Sequence, residues 1–234
     1  MALPADEAQH LTRVLRIDAG DTIRVFDGRG REFEARVEHA AKQDVVIAVG
    51  VQRIAPAREA GVFITLAQAV LKGEKMDHAV RDAVMMGAAA IQPLVSVRSE
   101  VTLAALARGA RQARWQRVAV ASAKQCGRAV VPPVLPPVAF GHVTDALAER
   151  SIPGPGLMLV EPSAAAEIVS LSDLDGQRPR ETTVLVGPEG GWEPSEIEQA
   201  AATCRLVTLG SRTLRADAVP VVAMAALFAV WKEF

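Results

Sequence analysis

Two successive strand-loop-helix units near the carboxyl end of the chain constrain its fold more than any other feature. The first unit starts with the β-branched and apolar run Thr182–Val186, which stops at Gly187. Short apolar runs bounded by glycine are typical of buried parallel strands. The second unit has a strand over residues 206–209, a loop from Gly210 and a helix from about Asp217. The two loops should therefore meet at one sheet edge, where open α/β sheets bind ligands.

The loop of the first unit carries three glycines within five positions, Gly187, Gly190 and Gly191. Glycine lets a ligand approach the backbone closely, but a tight turn uses the same residues, so both interpretations stay open. The spacing fits neither the dinucleotide fingerprint nor a P-loop, and the pattern gives no indication of a nucleotide phosphate. A helix should follow from Pro194, because proline suits a first helical turn.

Composition narrows the class of protein. A chain of 234 residues allows one large or two smaller domains, and half of its residues are hydrophobic. No run reaches the eighteen or so apolar residues of a membrane span, and no signal peptide is recognisable. The two cysteines, Cys126 and Cys204, predict no disulfide framework and favour a reducing, cytoplasmic location. The four histidines have no metal-ligand spacing, so no metal is expected.

Charge is unevenly distributed along the chain, although the formal net charge is only −1. Residues 98–130 hold seven lysines and arginines against one acid, Glu100, whereas residues 131–234 hold seven against thirteen. A basic segment within a near-neutral chain can supply a phosphate-binding surface. The alternative is a solvated helix face, and the charges alone do not separate the two.

The amino-terminal residues 1–55 predict a small β domain. Alternating apolar residues before and after Asp27-Gly28-Arg29-Gly30 indicate a hairpin, and residues 45–49 read as a further strand. Arg13 and Arg16 flank Val14-Leu15 and either contact phosphate or bridge surface carboxylates of the domain. Residues 56–61, rich in alanine with a proline and a glycine, are the expected linker.

The next segment has the pattern of a βαβ unit. A strand over 62–69, a helix over 74–86 and a strand over 91–97 predict a parallel sheet. Pro93 within the second strand indicates an irregular or edge position. A long helix is then expected over 103–125, with Trp115 as a core anchor. The remaining predictions are an extended proline-rich stretch over 130–138, a helix over 142–150, a strand over 157–160 and a turn or short helix over 163–170.

The motif Gly187-Pro188-Glu189-Gly190-Gly191-Trp192, followed about twenty residues later by Leu209-Gly210-Ser211-Arg212-Thr213-Leu214-Arg215, closely resembles the RsmE family. These are ribosomal RNA uridine-N3 methyltransferases of the SPOUT superfamily. The resemblance extends upstream to residues 9–16, Arg98-Ser99 and residues 125–128, and so spans nearly the whole chain. It implies an α/β fold: a SPOUT-type, trefoil-knotted parallel-sheet domain over 62–234, preceded by a small PUA-like β-barrel over 1–55 that helps to bind RNA.

The resemblance also implies the cofactor and the reaction. S-adenosylmethionine would donate a methyl group to uracil N3 in the 16S ribosomal RNA of the small subunit. The implied cofactor-binding residues are Val186, Gly187, Glu189, Gly190, Gly191, Leu209, Gly210 and Leu214. Arg215 is the candidate catalytic residue, because an arginine beside O2 and O4 would stabilise the charge left when N3 loses its proton. A salt bridge from Arg215 to Glu189 or Asp217 is the alternative, and Glu189 itself either acts as a base or orders the loop.

The expected partners follow from the resemblance and from one apolar segment. The candidate RNA contacts are Arg13, Arg16, Arg98, Arg111, Arg114, Arg117 and Arg128. Every residue of 218–231 is apolar, and a helix that is apolar on all sides must be buried on all sides, which predicts a homodimer. Burial within one subunit is the alternative.

The chain departs from the family pattern at Asp82, Met85 and Lys124, and at Ala216–Val219 after the second loop. Three other functions therefore stay open: a methyltransferase for another RNA nucleotide, a non-catalytic RNA-binding factor of ribosome assembly, and a small-molecule α/β enzyme.

Overall fold

The computed structural model describes residues 1–165 and 167–233. The chain divides into two compact units, one of residues 1–58 with 126–131 and one of residues 59–125 with 132–234. Within the described residues, no helix combines the length and the apolar character that spanning a membrane would require.

The amino-terminal unit is a three-stranded antiparallel sheet in the order β1-β2-β3. Its elements are α1 (Ala5–His10), a π-helical turn (Leu11–Leu15), β1 (Thr22–Phe26), β2 (Glu32–Ala41) and β3 (Asp44–Arg53). The alternating side chains Ala35, Val37, Val45 and Ile47 enclose Ala8 of α1 in a small core. The predicted hairpin and third strand are confirmed, because period-two alternation puts one face of the sheet on this core.

The second unit is built around a seven-stranded sheet in which every pairing is parallel. Its first half comprises β4 (Phe63–Ala69), α2 (Lys75–Met86), β5 (Ala90–Val95), α3 (Leu103–Ala107), α4 (Arg111–Cys126), β6 (Val138–Ala139) and α5 (Phe140–Ala148). Its second half comprises β7 (Gly156–Leu159), β8 (Val169–Ser170), a 3-10 turn (Leu171–Leu174), β9 (Glu181–Val186), α6 (Pro194–Ala201), β10 (Cys204–Thr208) and α7 (Val219–Val230). The predicted parallel α/β fold is confirmed.

The strand order, β6-β5-β4-β9-β7-β10-β8, determines where loops can meet. From the central β4 the chain first adds β5 and β6 on one side and then fills the other side. In this second half β9, β7 and β10 are neighbours, so the loops that follow their carboxyl ends are neighbours too. A change of direction of this kind creates a crevice outside the carboxyl ends of the strands.

The helices pack on the sheet through their apolar side chains, which recur with the helical period. The buried residues of α2 lie on one side of the helix, which packs against α7; they are Met76, Ala79, Val80, Ala83 and Val84. Phe140 of α5 joins Met158, Leu185 and Trp192 in a second cluster. Trp115 of α4 is buried and confirmed as a core residue.

Two predictions of secondary structure are corrected, and a third holds in part. The single helix over 103–125 is wrong: α3 and α4 are separated at 108–110, because Gly109 disfavours helix and its N–H closes a turn on the Leu106 carbonyl. Residues 163–170 were expected as a turn or short helix, but Val169–Ser170 pair with β10, and Ala166 lies outside the described residues. Pro93 was expected at an irregular or edge position: β5 is not the edge strand, but its pairing with the outer neighbour β6 is confined to Leu94 and Val95, so the irregular alternative fits.

Candidate functional site

An open crevice of about 540 Å³ lies at the carboxyl edge of the parallel sheet. Three loops line it: residues 159–164 after β7, residues 186–192 after β9 and residues 208–217 after β10. This is the edge at which the two sequence motifs were predicted to meet. The loop after β7 completes the crevice because β7 lies between β9 and β10.

The crevice contains seven of the eight predicted cofactor-binding residues. The lining members are Val186, Gly187, Glu189, Gly190, Gly191, Leu209 and Leu214. Gly210 is exposed and does not line the crevice. Its φ of +114° and the hydrogen bond from the Thr208 hydroxyl to its carbonyl, 3.0 Å, form the turn after β10 instead.

Trp192 attaches the glycine-rich loop to the sheet. Its indole N–H donates to the Leu159 carbonyl of β7 at 2.9 Å, and its ring lies 5.3 Å from that of Phe140, centroid to centroid. A Cβ atom at Gly187 would lie 3.2 Å from the Trp192 ring. Only glycine therefore fits at the end of β9 while the tryptophan keeps this position.

Arg98, which was predicted to contact RNA, holds the same loop from the side of β5. Its Nε donates to Glu193 Oε2 at 2.8 Å and its Nη1 to the Gly190 carbonyl at 3.0 Å. A Cβ atom at Gly190 would lie 3.3 Å from the Arg98 Cβ. This close approach leaves no room for a side chain at Gly190 unless Arg98 moves.

Glu196 connects the start of α6 to the end of β5. Its buried carboxylate accepts from the Val97 backbone N–H at 3.0 Å and from the Glu193 N–H at 3.0 Å. The second bond belongs to a capping box, which satisfies backbone donors that a helix start leaves unpaired. Trp192 and the helix cap thus fix the carboxyl end of the glycine-rich loop.

Glu189 orders the loop through contacts to the segment after β4. Its Oε1 accepts from Lys75 Nζ at 3.0 Å and from the Lys72 backbone N–H at 3.2 Å. Burial raises the pKa of this carboxyl, but the hydrogen bonds from its own backbone N–H, Lys75 and Lys72 outweigh burial and hold the pKa below 4.5. An ionised, paired carboxylate is suited to ordering the loop and is a poor proton acceptor near neutral pH.

Arg215 lines the crevice with 77% of its side chain exposed, and its Nε pairs with Asp217 Oδ1 at 3.3 Å. Of the two salt bridges considered for Arg215, the one to Asp217 is therefore present. The contact leaves most of the guanidinium accessible to a ligand, and its catalytic role stays a prediction.

Comparison with known proteins identifies the family. A model of the RNA methyltransferase PUA domain matches residues 3–49, and a model of the RNA methyltransferase domain matches residues 58–228. Ribosomal RNA small subunit methyltransferase E of a Synechocystis species is 30% identical over 231 residues, which are 98% of this chain and 73% of the relative. The chain belongs to the ribosomal RNA small subunit methyltransferase E family.

Solved structures of similar chains agree with this membership. The family member from Neisseria gonorrhoeae, crystallised bound to S-adenosyl methionine, has a TM-score of 0.86 and 32% identity, and the match covers 99% of this chain and 92% of that one. A Legionella pneumophila protein in complex with the bound cofactor SAM has a TM-score of 0.85 and 27% identity, over 98% and 91% of the two chains.

Four charged residues that line the crevice of this methyltransferase E family member were not among the predicted site residues: Lys75, Glu161, Arg212 and Asp217. Lys75 reaches the crevice from the start of α2, and Glu161 from the loop after β7. The Glu161 carboxylate has no hydrogen-bond or ion-pair partner in the described part of the chain, unlike those of Glu189, Glu193 and Asp217. Glu161 could have been considered from the sequence, because it directly follows the predicted strand over 157–160 and therefore lies at the same edge of the sheet.

The candidate RNA contacts of this family member differ in accessibility. Arg13, Arg16, Arg111 and Arg117 are exposed, and none of the four forms an ion pair with another described residue. Arg114 is paired with the largely buried carboxylate of Asp77. Arg128 is only 4% exposed, which makes it less accessible to a surface phosphate than the other candidates, and its RNA contact stays a prediction. In the described ranges, His, Cys, Asp and Glu form no group of three or more that could hold a metal.

Proposed function

We propose that the protein transfers a methyl group from S-adenosylmethionine to N3 of a uridine in the 16S ribosomal RNA of the small subunit. The observation that supports this most directly is the crevice formed by the loops after β7, β9 and β10. It combines the two sequence motifs of the RsmE family in a chain that is 32% identical to a family member crystallised with S-adenosyl methionine.

The crevice suits the chemistry of this cofactor. Leu209 and Leu214 offer apolar surface for an adenine ring, and Gly190 and Gly191 allow the backbone to approach a ligand closely. The carboxylate of Glu161 is available to a hydroxyl or ammonium group of the ligand. When bound, the cofactor supplies a methyl group activated by its sulfonium.

Arg215 is the proposed catalytic residue, in the role of stabilising charge. Removal of the uracil N3 proton leaves negative charge on O2 and O4, and a guanidinium fixed beside these oxygens lowers the energy of the transition state. Asp217 already orients the Arg215 side chain from one side. The low pKa of Glu189 argues against its use as the general base, and no other base is assigned.

The organisation of the whole protein is part of the proposal. Residues 1–55 would bind RNA as a PUA-like domain, and residues 62–234 would form the catalytic SPOUT domain with its trefoil knot. Arg98 would act on the RNA only if it left its present contacts with the loop. The proposal also includes a homodimer formed through α7. It includes a cytoplasmic location, since the substrate lies in the small ribosomal subunit.

Labelled cofactor provides the test. The protein is incubated with methyl-labelled S-adenosylmethionine and ribosomal subunits from cells that lack this methylation, with large subunits as the control. We expect label in the RNA of the small subunit alone. Cofactor binding without transfer would instead favour a non-catalytic assembly factor, and the absence of both cofactor and RNA binding would favour a small-molecule enzyme.

A further inference from the structure

The amino-terminal unit presents two adjacent apolar side chains to solvent between two arginines. Val14 is 65% exposed and Leu15 is 55% exposed, and they are flanked by Arg13 and Arg16. Single exposed apolar residues are common on protein surfaces and need no explanation. Two neighbouring exposed apolar residues, with an exposed arginine on either side of the pair, form a patch that is apolar at its centre and positively charged at its ends. We call residues 13–16 the arginine corner.

The backbone of the arginine corner is unusual. Residues Leu11–Leu15 form a π-helical turn that continues α1, and Arg16 ends it in the left-handed region at φ 54° and ψ 43°. Short π-helical segments are rare and occur frequently at functional sites. A residue with a side chain in the left-handed region is also uncommon, and the surrounding structure has to stabilise it.

The rest of the unit holds this conformation from behind. The Thr12 hydroxyl donates to the Ala8 carbonyl at 2.9 Å and lies 3.3 Å from the Lys42 carbonyl beyond β2. The Ile17 N–H donates to the Leu11 carbonyl at 3.1 Å, and Leu11 and Ile17 pack against the small core. The exposure of Val14 and Leu15 is therefore a fixed feature of the fold and not the fraying of a helix end.

The charges of the arginine corner are not compensated by ion pairs. Arg24, Arg31 and Arg53 of the same unit pair with Glu32, Asp27 and Glu34, respectively. Arg13 and Arg16 have no such partner among the described residues. Bridging of surface carboxylates, one of the two roles considered for these arginines, is thus not observed. Two unpaired guanidinium groups are available to an anionic ligand.

We propose that Val14 and Leu15 form an apolar platform for an unpaired base of the RNA substrate, with Arg13 and Arg16 binding the phosphates on either side. This inference rests on the proposed function, because it assumes that the substrate is RNA. An unstacked nucleotide combines an apolar base face with a charged backbone, which is the combination that the corner offers. A base-paired duplex hides its base faces and would use the arginines alone.

Separate removal of the apolar groups and of the charges tests the platform. The full-length protein is compared with Val14→Ser/Leu15→Ser and with Arg13→Gln/Arg16→Gln. Their binding to a single-stranded uridine-rich oligonucleotide and to undermethylated small subunits is measured between 50 and 200 mM salt, concentrations of the order used to determine salt slopes. The serine variant should lose about fivefold or more in affinity at every salt concentration, since burial of the aliphatic Val14 and Leu15 side chains against a base face is lost.

The two variants should differ in salt dependence. The serine variant removes no charge, so the slope of log affinity against log salt should be unchanged. The glutamine variant should lower the slope by about 0.7 for each lost phosphate contact with a single strand. Val49→Ser/Val51→Ser is the matched control, because these residues are 44% and 59% exposed on the same unit without unpaired flanking arginines, and it should bind like wild type.

Three results would overturn the platform. The first is a serine variant that binds single-stranded RNA like wild type. The second is a serine variant whose loss of affinity for a duplex of the same length equals its loss for the single strand. The third is a serine substitution that changes the sedimentation of the RNA-free protein, which would assign the arginine corner to a protein interface. Cofactor affinity, measured by calorimetry, should be unchanged in both variants, and a circular dichroism spectrum like that of wild type shows that the amino-terminal unit is folded. If wild type itself bound no RNA and transferred no methyl group, the proposed function would fail, whereas normal methyl transfer with an unaffected serine variant would reject the platform alone.

Discussion

A side chain at Gly190 should weaken the binding of a ligand in the crevice. The Arg98 guanidinium holds the Gly190 carbonyl, and the Arg98 stem lies where a Gly190 side chain would be. We expect Gly190→Val to lower the affinity for S-adenosylmethionine about tenfold or more, which is about 1.4 kcal/mol. Titration calorimetry measures this directly. Gly141→Ala is the control, because a Cβ there meets only an ordinary contact, Gln199 Nε2 at 3.5 Å. Unchanged affinity in a folded Gly190→Val variant would place the cofactor elsewhere.

Glu189 should affect cofactor binding more than the chemical step. Glu189→Gln removes the charge that pairs with Lys75, so we expect a several-fold higher KM for the cofactor and a kcat within about tenfold of wild type. A general base contributes about 10²- to 10⁴-fold to the rate. A hundredfold or larger loss of kcat at saturating cofactor would therefore identify Glu189 as the base.

The pH dependence of stability gives an independent test of the Glu189 contacts. Its pKa in the folded protein is lowered from 4.5, so the carboxylate stabilises the fold above that pH and ceases to do so as the pH falls through the lowered value. We expect Glu189→Gln to reduce the free energy of unfolding by up to about 1 kcal/mol at neutral pH, the usual range for accessible ion pairs. The difference from wild type, measured by denaturant unfolding, should be constant above pH 4.5 and shrink below it.

At the scale of elements, α4 carries arginines of two kinds. Arg111 and Arg117 are exposed and not ion-paired, whereas Arg114 is bound to Asp77 of α2. We expect Arg111→Gln/Arg117→Gln to weaken RNA binding and to lower the salt slope by up to about 1.8, since each contact with duplex phosphate contributes about 0.9. Cofactor affinity should not change. A wild-type slope would mean that this side of α4 is a solvated helix face.

Arg114 supplies the comparison within the same helix. Arg114→Gln leaves Asp77 with 14% of its side chain exposed and without its cation, and Asp77 Oδ1 already has no hydrogen-bond partner among the described residues. We expect a loss of roughly 1–3 kcal/mol in the free energy of unfolding, the range for a buried group left unpaired. The salt slope of RNA binding should change less than in the Arg111→Gln/Arg117→Gln variant. The opposite ranking would assign Arg114 to the RNA surface.

The accuracy of the sequence-based predictions follows from the range of the interactions involved. Apolar periodicity located α2 and the hairpin, because each of them buries one side. Short apolar runs located β4 and β9, because strands inside a parallel sheet are buried on both faces. It missed the separation of α3 from α4, where a local effect at Gly109 outweighed a continuous helical pattern. Motif spacing located the loops after β9 and β10.

Long-range contacts could not be read from the sequence. Arg98 bonds to residues more than 90 positions away, and the burial of Arg128 depends equally on the tertiary structure. The predicted strand over 157–160 placed Glu161 at the edge of the sheet, but its position in the crevice also depends on β7 lying between β9 and β10, an order that the linear pattern does not contain. Residues with these roles share one feature: their neighbours in space are distant in sequence.

At the scale of the whole molecule, α7 has one face that the subunit does not cover. The residues buried within the subunit are Pro220, Ala223, Met224, Leu227 and Phe228. On the other side Val222 is 38% exposed and Ala229 is exposed, although the entire helix is apolar. A helix with an apolar outer face is expected to bury it against a partner, which supports the proposed homodimer.

Substitution of the outer face tests the dimer. Val222→Glu should shift sedimentation equilibrium at micromolar concentration towards the monomer of 24.8 kDa. Leu103→Glu is the control, because Leu103 is also 38% exposed but lies on α3. Phe228→Glu is less informative, since Phe228 is only 2% exposed and its substitution would disrupt the core. A wild-type protein that sediments as a single species near 24.8 kDa would contradict the dimer.

The most direct test of the central claim is the identity of the nucleoside that the protein methylates. Small ribosomal subunits lacking the modification are incubated with the protein and labelled S-adenosylmethionine, and the RNA is digested to nucleosides for mass spectrometry. The Gly190→Val variant provides the matched reaction with an impaired crevice. We expect labelled N3-methyluridine from the wild-type protein and much less from the variant. A label on any other nucleoside, or equal transfer by both proteins, would contradict it.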